Sequence, residues 1–167
     1  MLDPDKFGTL TGGHRIWSIA AIHGETERLR ALHGVLAGRL EARDRVVYLG
    51  NYLGHGTDII GTVDELIAFR RELLSVPGMM PQDIVFLRGA QEEMWQKLLQ
   101  LQLPMNPPDV LGWMMERGVI ATIKAYGGAA GDVREQLADP EPGLAVLREL
   151  PRRPQRVALV VELRRLG

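Results

Sequence analysis

Arg45-Val46-Val47-Tyr48-Leu49-Gly50-Asn51-Tyr52-Leu53-Gly54-His55-Gly56-Thr57-Asp58 is the stretch that decides the fold. Its first five residues are a short run rich in strand formers, long enough for a buried strand. Gly50 ends the run, and a loop with three glycines follows. Thr57 and Asp58 both offer an oxygen suited to an N-cap. Ile59, Val63, Leu66, Ile67 and Leu74 then give one helical apolar stripe, closed by Pro77-Gly78. The same unit stands on either side. Upstream, Arg15 to Ile22 is a strand candidate ending at His23-Gly24, and a helix from about Thr26 carries Leu29, Leu32, Leu36 and Leu40. Downstream, Ile84-Val85-Phe86-Leu87 stops at Arg88-Gly89, and a helix from about Gln91 carries Met94, Trp95, Leu98 and Leu99. Three strand-loop-helix units in succession predict a parallel sheet with helices on its faces. Ligands of such sheets sit beyond the carboxyl ends of the strands, which singles out residues 21–25, 50–56 and 88–92.

Past Leu103 the texture changes. Pro104, Pro107 and Pro108 interrupt the chain, and short helices are expected near 109–117, 119–126, 131–138 and 143–149, with Gly127-Gly128 between two of them. This reads as a helical cap over about 104–150. Arg156 to Val161 is a fourth strand candidate, six residues before the end. The expected organisation is a loose arm over 1–14 and one α/β domain over 15–167.

Composition bounds the function. Of 167 residues, 46% are hydrophobic and 25% charged, an ordinary globular balance that excludes a disordered chain. Without cysteine there is no disulfide, thiolate zinc site or Cys nucleophile. A net charge of -1 argues against a polyelectrolyte binder of nucleic acid. The arginines at 148, 152, 153, 156, 164 and 165 lack interleaved aromatics, so a solvated face or a contact for an acidic partner is the simpler reading. No apolar run approaches the roughly 18 residues of a membrane span. The first residues hold two Asp and no apolar core of a signal peptide, so a cytoplasmic location is the expectation. Neither a phosphate loop nor a nucleophile elbow occurs, and Ser18 and Ser75 are the only serines.

The three loops resemble a family. Ala21-Ile22-His23-Gly24, Gly50-Asn51-Tyr52-Leu53-Gly54-His55-Gly56 and Arg88-Gly89-Ala90-Gln91-Glu92 are similar to the blocks of calcineurin-like metallophosphoesterases, above all the bacterial serine/threonine-phosphatase type. Those blocks run Asp-x-His-Gly, Gly-Asp-x-x-Asp-Arg-Gly and Arg-Gly-Asn-His-Glu. The resemblance implies a metallophosphoesterase-like β-sheet core with flanking helices and a helical cap, truncated at the C-terminus. It also implies two-metal phosphoester hydrolysis, in which paired divalent ions polarise the phosphoryl group and generate hydroxide.

This chain departs from the pattern where the chemistry lies. Alanine stands at 21 for the ligand Asp, and Asn51 for the bridging Asp. Gly54 and His55 replace the second Asp and the Arg, Ala90 the ligand Asn, and Gln91 the proton-donating His. Glu162 aligns with a further ligand His. Arg88, Gly89 and Glu92 match the family and serve its scaffold. Two divalent ions about 4 Å apart repel by roughly 17 kcal/mol at an effective dielectric near 20, and here the offsetting carboxylates are missing. The expectation is therefore that no catalytic site is intact and no cofactor is held. The alternative is one divalent ion (Mn, Fe or Zn) on His23 and Glu162, with Asn51 weaker. His55 reads as a solvated loop residue, Glu25 as a helix-start carboxylate, and His14 and His33 as surface. The functional expectation is a pseudoenzyme that acts as a binding or interaction module. A rebuilt phosphoesterase using His23, Asn51, His55 and Glu162, or a metal-free phosphate sensor, are the alternatives. The 156–163 strand is apolar on both faces, which predicts a homodimer or a protein partner there, and no membrane.

Overall fold

The structure is a computed structural model that describes residues 14–98 and 107–128. The arm before His14, the helices expected at 131–138 and 143–149, the 156–163 strand and Glu162 lie outside the described residues. Three strands, β1 (Ile16–Ile19), β2 (Arg45–Tyr48) and β3 (Ile84–Phe86), form a parallel sheet in the order β1-β2-β3. Register pairs Trp17 with Val46 and Ile19 with Tyr48, then Val46 with Ile84 and Tyr48 with Phe86. Helices α1 (Thr26–Ala37), α2 (Ile59–Leu74) and α3 (Ala90–Leu98) each follow a strand. The mixed α/β class read from the three repeated units is the class observed. Helices α4 (Pro107–Met114) and α5 (Ile120–Ala125) flank a wide turn, Met115–Val119, in the region read as helical cap.

Two cores hold these elements. In the first, alternate residues of each strand put Trp17, Ile19, Val46, Tyr48, Ile84 and Phe86 against Leu29, Leu36, Leu66, Phe69 and Leu73 of α1 and α2. Burial of such side chains is worth about 1.5–3 kcal/mol each. The second core joins Leu53 of the β2–α2 loop and α2 to α3, α4 and α5 through Met94, Trp95, Leu111, Met114, Val119 and Ile123. The cap helices are thus packed on the loop that follows β2.

Some expectations need correction. The first run is no fully buried strand: β1 is half covered, and Ile16 is 57% exposed. Leu32 does not belong to the buried stripe of α1; the inward residues are Thr26, Leu29, His33 and Leu36. His33, expected at the surface, is buried. Its Nε2 lies 2.9 Å from the Tyr48 hydroxyl and its Nδ1 2.7 Å from Glu65 Oε1. The ring stacks on Phe69 at 3.8 Å between centroids. These partners are 15 and 32 residues away along the chain, which is why helical periodicity alone assigns the position wrongly. In α2, Phe69 and Leu73 are buried, whereas Leu74 is only partly so.

The edge strand is pinned by a buried carboxylate. Asp44 accepts from Arg15 Nη2 at 2.7 Å, from the Trp17 indole N–H at 3.0 Å and from the Glu41 amide at 3.1 Å. The Arg15 guanidinium is the main reason its pKa falls to about 2. Asp58 caps α2 by accepting from the Gly61 amide at 2.8 Å. No helix among the described residues is long and apolar enough to cross a membrane.

Candidate functional site

The three loops meet just beyond the carboxyl ends of the strands. The amides of Ile22 and His23 donate to the Asn51 carbonyl at 3.0 and 2.8 Å, and the Gly24 amide to the Tyr52 carbonyl at 2.9 Å. At Gly50 the backbone runs at φ +90 against Gly89, and any Cβ there would collide with the Gly89 amide. His23, Asn51 and His55 also take positive φ, at 51, 56 and 60 degrees. Outside glycine this conformation costs of order 1–3 kcal/mol and persists only where the surroundings over-determine it.

Glu92 is the hub of the loops. It is almost wholly buried. Its Oε2 accepts from the amides of Asn51 (2.7 Å) and Gly89 (2.8 Å), its Oε1 from those of Tyr52 (2.8 Å) and Leu53 (3.2 Å). Four backbone donors around one carboxylate leave it no free lone pair aimed at a ligand. Asn51 Oδ1 accepts from the Gln91 amide at 3.0 Å and so caps α3 from a distance of 40 residues in sequence. Gln91 Nε2 donates to the Arg117 carbonyl at 2.7 Å. Its Oε1 is buried without a hydrogen-bond partner among the described residues and faces the Cα of Gly54, where any side chain would strike it. Gly54 and Gln91 are mutually fitted. Arg88 turns back onto α3, to Gln96 at 2.5 Å and to Glu93.

The two histidines come together. Their ring centroids are 5.3 Å apart and the rings nearly perpendicular. His23 Nδ1 lies 3.2 Å from the Leu53 carbonyl. His55 is exposed on one side and rests on Gly118 on the other. Ala21 and Ala90 are exposed. Glu25 is the residue before α1 and sits 3.9 Å from Arg28, outside this cluster.

Sequence reading missed the contribution of the cap. Thr122 Oγ1 accepts from the Gly54 amide at 3.1 Å, 68 residues away in sequence. Arg117 supplies the carbonyl that holds Gln91, and Gly118 makes room for His55. The signal available in the sequence was the lone Gly118 inside an otherwise helical pattern.

A dinuclear metal centre does not fit these residues. Among the described residues no three His, Asp or Glu side chains come together in a way that could hold a metal ion. The buried carboxylate at the centre of the loops, Glu92, is saturated by backbone donors, and the Asn51 oxygen is engaged by α3. No family model matches the chain, and neither a curated protein nor a solved structure matches it.

Proposed function

We propose that this chain is a degenerate metallophosphoesterase-like pseudoenzyme that acts as a binding or interaction module. The observation that carries the reading is the engagement of the Asn51 and Gln91 side chains at the two central family positions. One caps α3, and the other ties α3 to the cap helices. Neither can activate water: an amide has no proton to give at neutral pH, and general acid catalysis is worth about 10²–10⁴-fold. The absence of carboxylates at 21 and 51 removes the charge that two divalent ions need. A phosphate sensor is less well supported, because the first amides of α2 and α3 already face Asp58, Glu92 and Asn51.

The test is turnover of p-nitrophenyl phosphate with Mn²⁺, by the wild-type protein and by Gln91→His. Neither should exceed the buffer rate. Robust turnover by either protein would overturn the reading.

The partner reading rests on exposed apolar surface. Ile16, and Leu49 and Leu87 just past the ends of β2 and β3, lie open, on the sheet face turned away from α1 and α2. Exposed apolar side chains on one sheet face are what a docking partner would cover. We assign that cover to a homodimer or a protein partner engaging through the C-terminal 156–163 segment. Light scattering at micromolar concentration should give about twice the chain mass for the homodimer, whereas a monomer with no co-purifying protein would contradict the assignment.

A further inference from the structure

We infer that the outer edge of β1 is a docking surface for residues 7–11 of this same chain, which pair with it as an antiparallel strand turned at Gly12-Gly13. The first observation is the edge itself. The Arg45 amide donates to the Arg15 carbonyl at 2.8 Å, and the Leu49 amide to the Ile19 carbonyl at 2.9 Å. Backbone groups alternate in direction along a strand. Arg15, Trp17 and Ile19 therefore face β2, whereas Ile16 and Ser18 turn N–H and C=O away from it. Among the described residues β1 ends the sheet, and Ile16 and Ser18 are exposed. Such an edge is a ready template for another strand.

The second observation is the chain that leads into this edge. Phe7-Gly8-Thr9-Leu10-Thr11 passes through Gly12-Gly13 directly into His14. Phenylalanine and threonine favour strands, and a Gly-Gly pair suits the positive φ that a two-residue hairpin turn demands. The His14 amide donates to the Arg43 carbonyl at 3.1 Å, which holds the residue after the glycines beside the amino end of β2. With the two glycines as the turn, Thr9 stands opposite Ile16 and Phe7 opposite Ser18, the two residues whose edge groups are open. The same register sets Gly8 opposite Trp17, whose side chain is only partly buried. An aromatic ring across from an edge glycine shields the backbone that the glycine leaves bare. A closure this short also costs less entropy than recruiting a second chain.

Residues directly opposite in a sheet share a face. Phe7 therefore joins the face that carries Ile16, Leu49 and Leu87. The docking face proposed above is widened by one strand while its β1 edge is closed. This pairing stands whether or not the partner and pseudoenzyme readings do.

The experiment is NMR of the full chain, with Thr9→Pro and Leu10→Pro in parallel. Cross-strand Hα–Hα contacts are expected between Gly8 and Trp17 and between Leu10 and Arg15, the closely spaced pairs of this register. The Ile16 and Ser18 amides should exchange at least about tenfold more slowly than in Thr9→Pro, which removes a donor to the edge. Leu10→Pro should keep the protection, because the Leu10 N–H points away from β1. Both substitutions lie in the arm, outside the two cores. Free exchange at Ile16 and Ser18 in the wild type, or protection that survives Thr9→Pro, would overturn the pairing. Protection that fades on dilution would assign the edge to a second copy and overturn it equally.

Discussion

Asn51 and His33 show how much a single side chain's partners decide. At 51, an amide oxygen in place of a carboxylate caps α3 through the Gln91 amide and contributes no charge. At 33, a histidine sits between Tyr48 and Glu65, where burial lowers its pKa below the ordinary 6.5. The unfolded chain therefore takes up a proton near pH 6.5 that the folded protein resists. Stability from this residue is complete above that pH and is lost as pH falls toward the depressed value. A second, lower window belongs to Asp44, whose pKa drops from 3.8 to about 2 mainly through Arg15. Its contribution is complete above 3.8 and is lost as pH falls through about 2. Urea unfolding between pH 7.5 and 2.5 should thus show two declines, and His33→Phe should abolish the upper one only. An upper decline unchanged in His33→Phe would contradict this assignment.

Among the elements, the turn Met115–Val119 controls how the cap meets the loops. Gly118 runs at φ +98, and a Cβ there would stand 2.7 Å from His55 Nε2. Gly118→Ala should cost about 1–2 kcal/mol from the left-handed backbone alone. Because His55 is exposed and its ring can swing aside, a His55→Ala background should recover little of that loss. Urea midpoints of the two single variants and the double variant measure it, and a midpoint unchanged in Gly118→Ala would contradict the packing described. The strands and α1–α3 were legible in the sequence, because each strand is a short apolar run stopped by glycine and each helix carries a stripe. The cap's hold on the loops was not. It depends on pairs such as Gly54–Thr122 and Gln91–Arg117, 68 and 26 residues apart, and no local pattern records such pairs. That the three loop blocks meet beyond the strand ends was readable from the sequence. The saturation of Glu92 by four amides was not, since a glutamate in that block looks the same whether it faces a ligand or the backbone.

At the scale of the molecule, a small parallel sheet, loops closed on themselves by Glu92, and cap helices packed over the second loop form one arrangement. The side chains of Glu92, Asn51 and Gln91 hold the scaffold together, and the His23 and His55 rings meet edge to face. The reading proposed above is that no dinuclear metal centre of the phosphatase kind is held here. Elemental analysis of the protein, purified without chelator and with Mn, Fe and Zn in the medium, tests it most directly. Fewer than two tightly held equivalents of metal per chain are expected. Two tightly held equivalents per chain, whose removal abolishes a phosphatase activity, would contradict it.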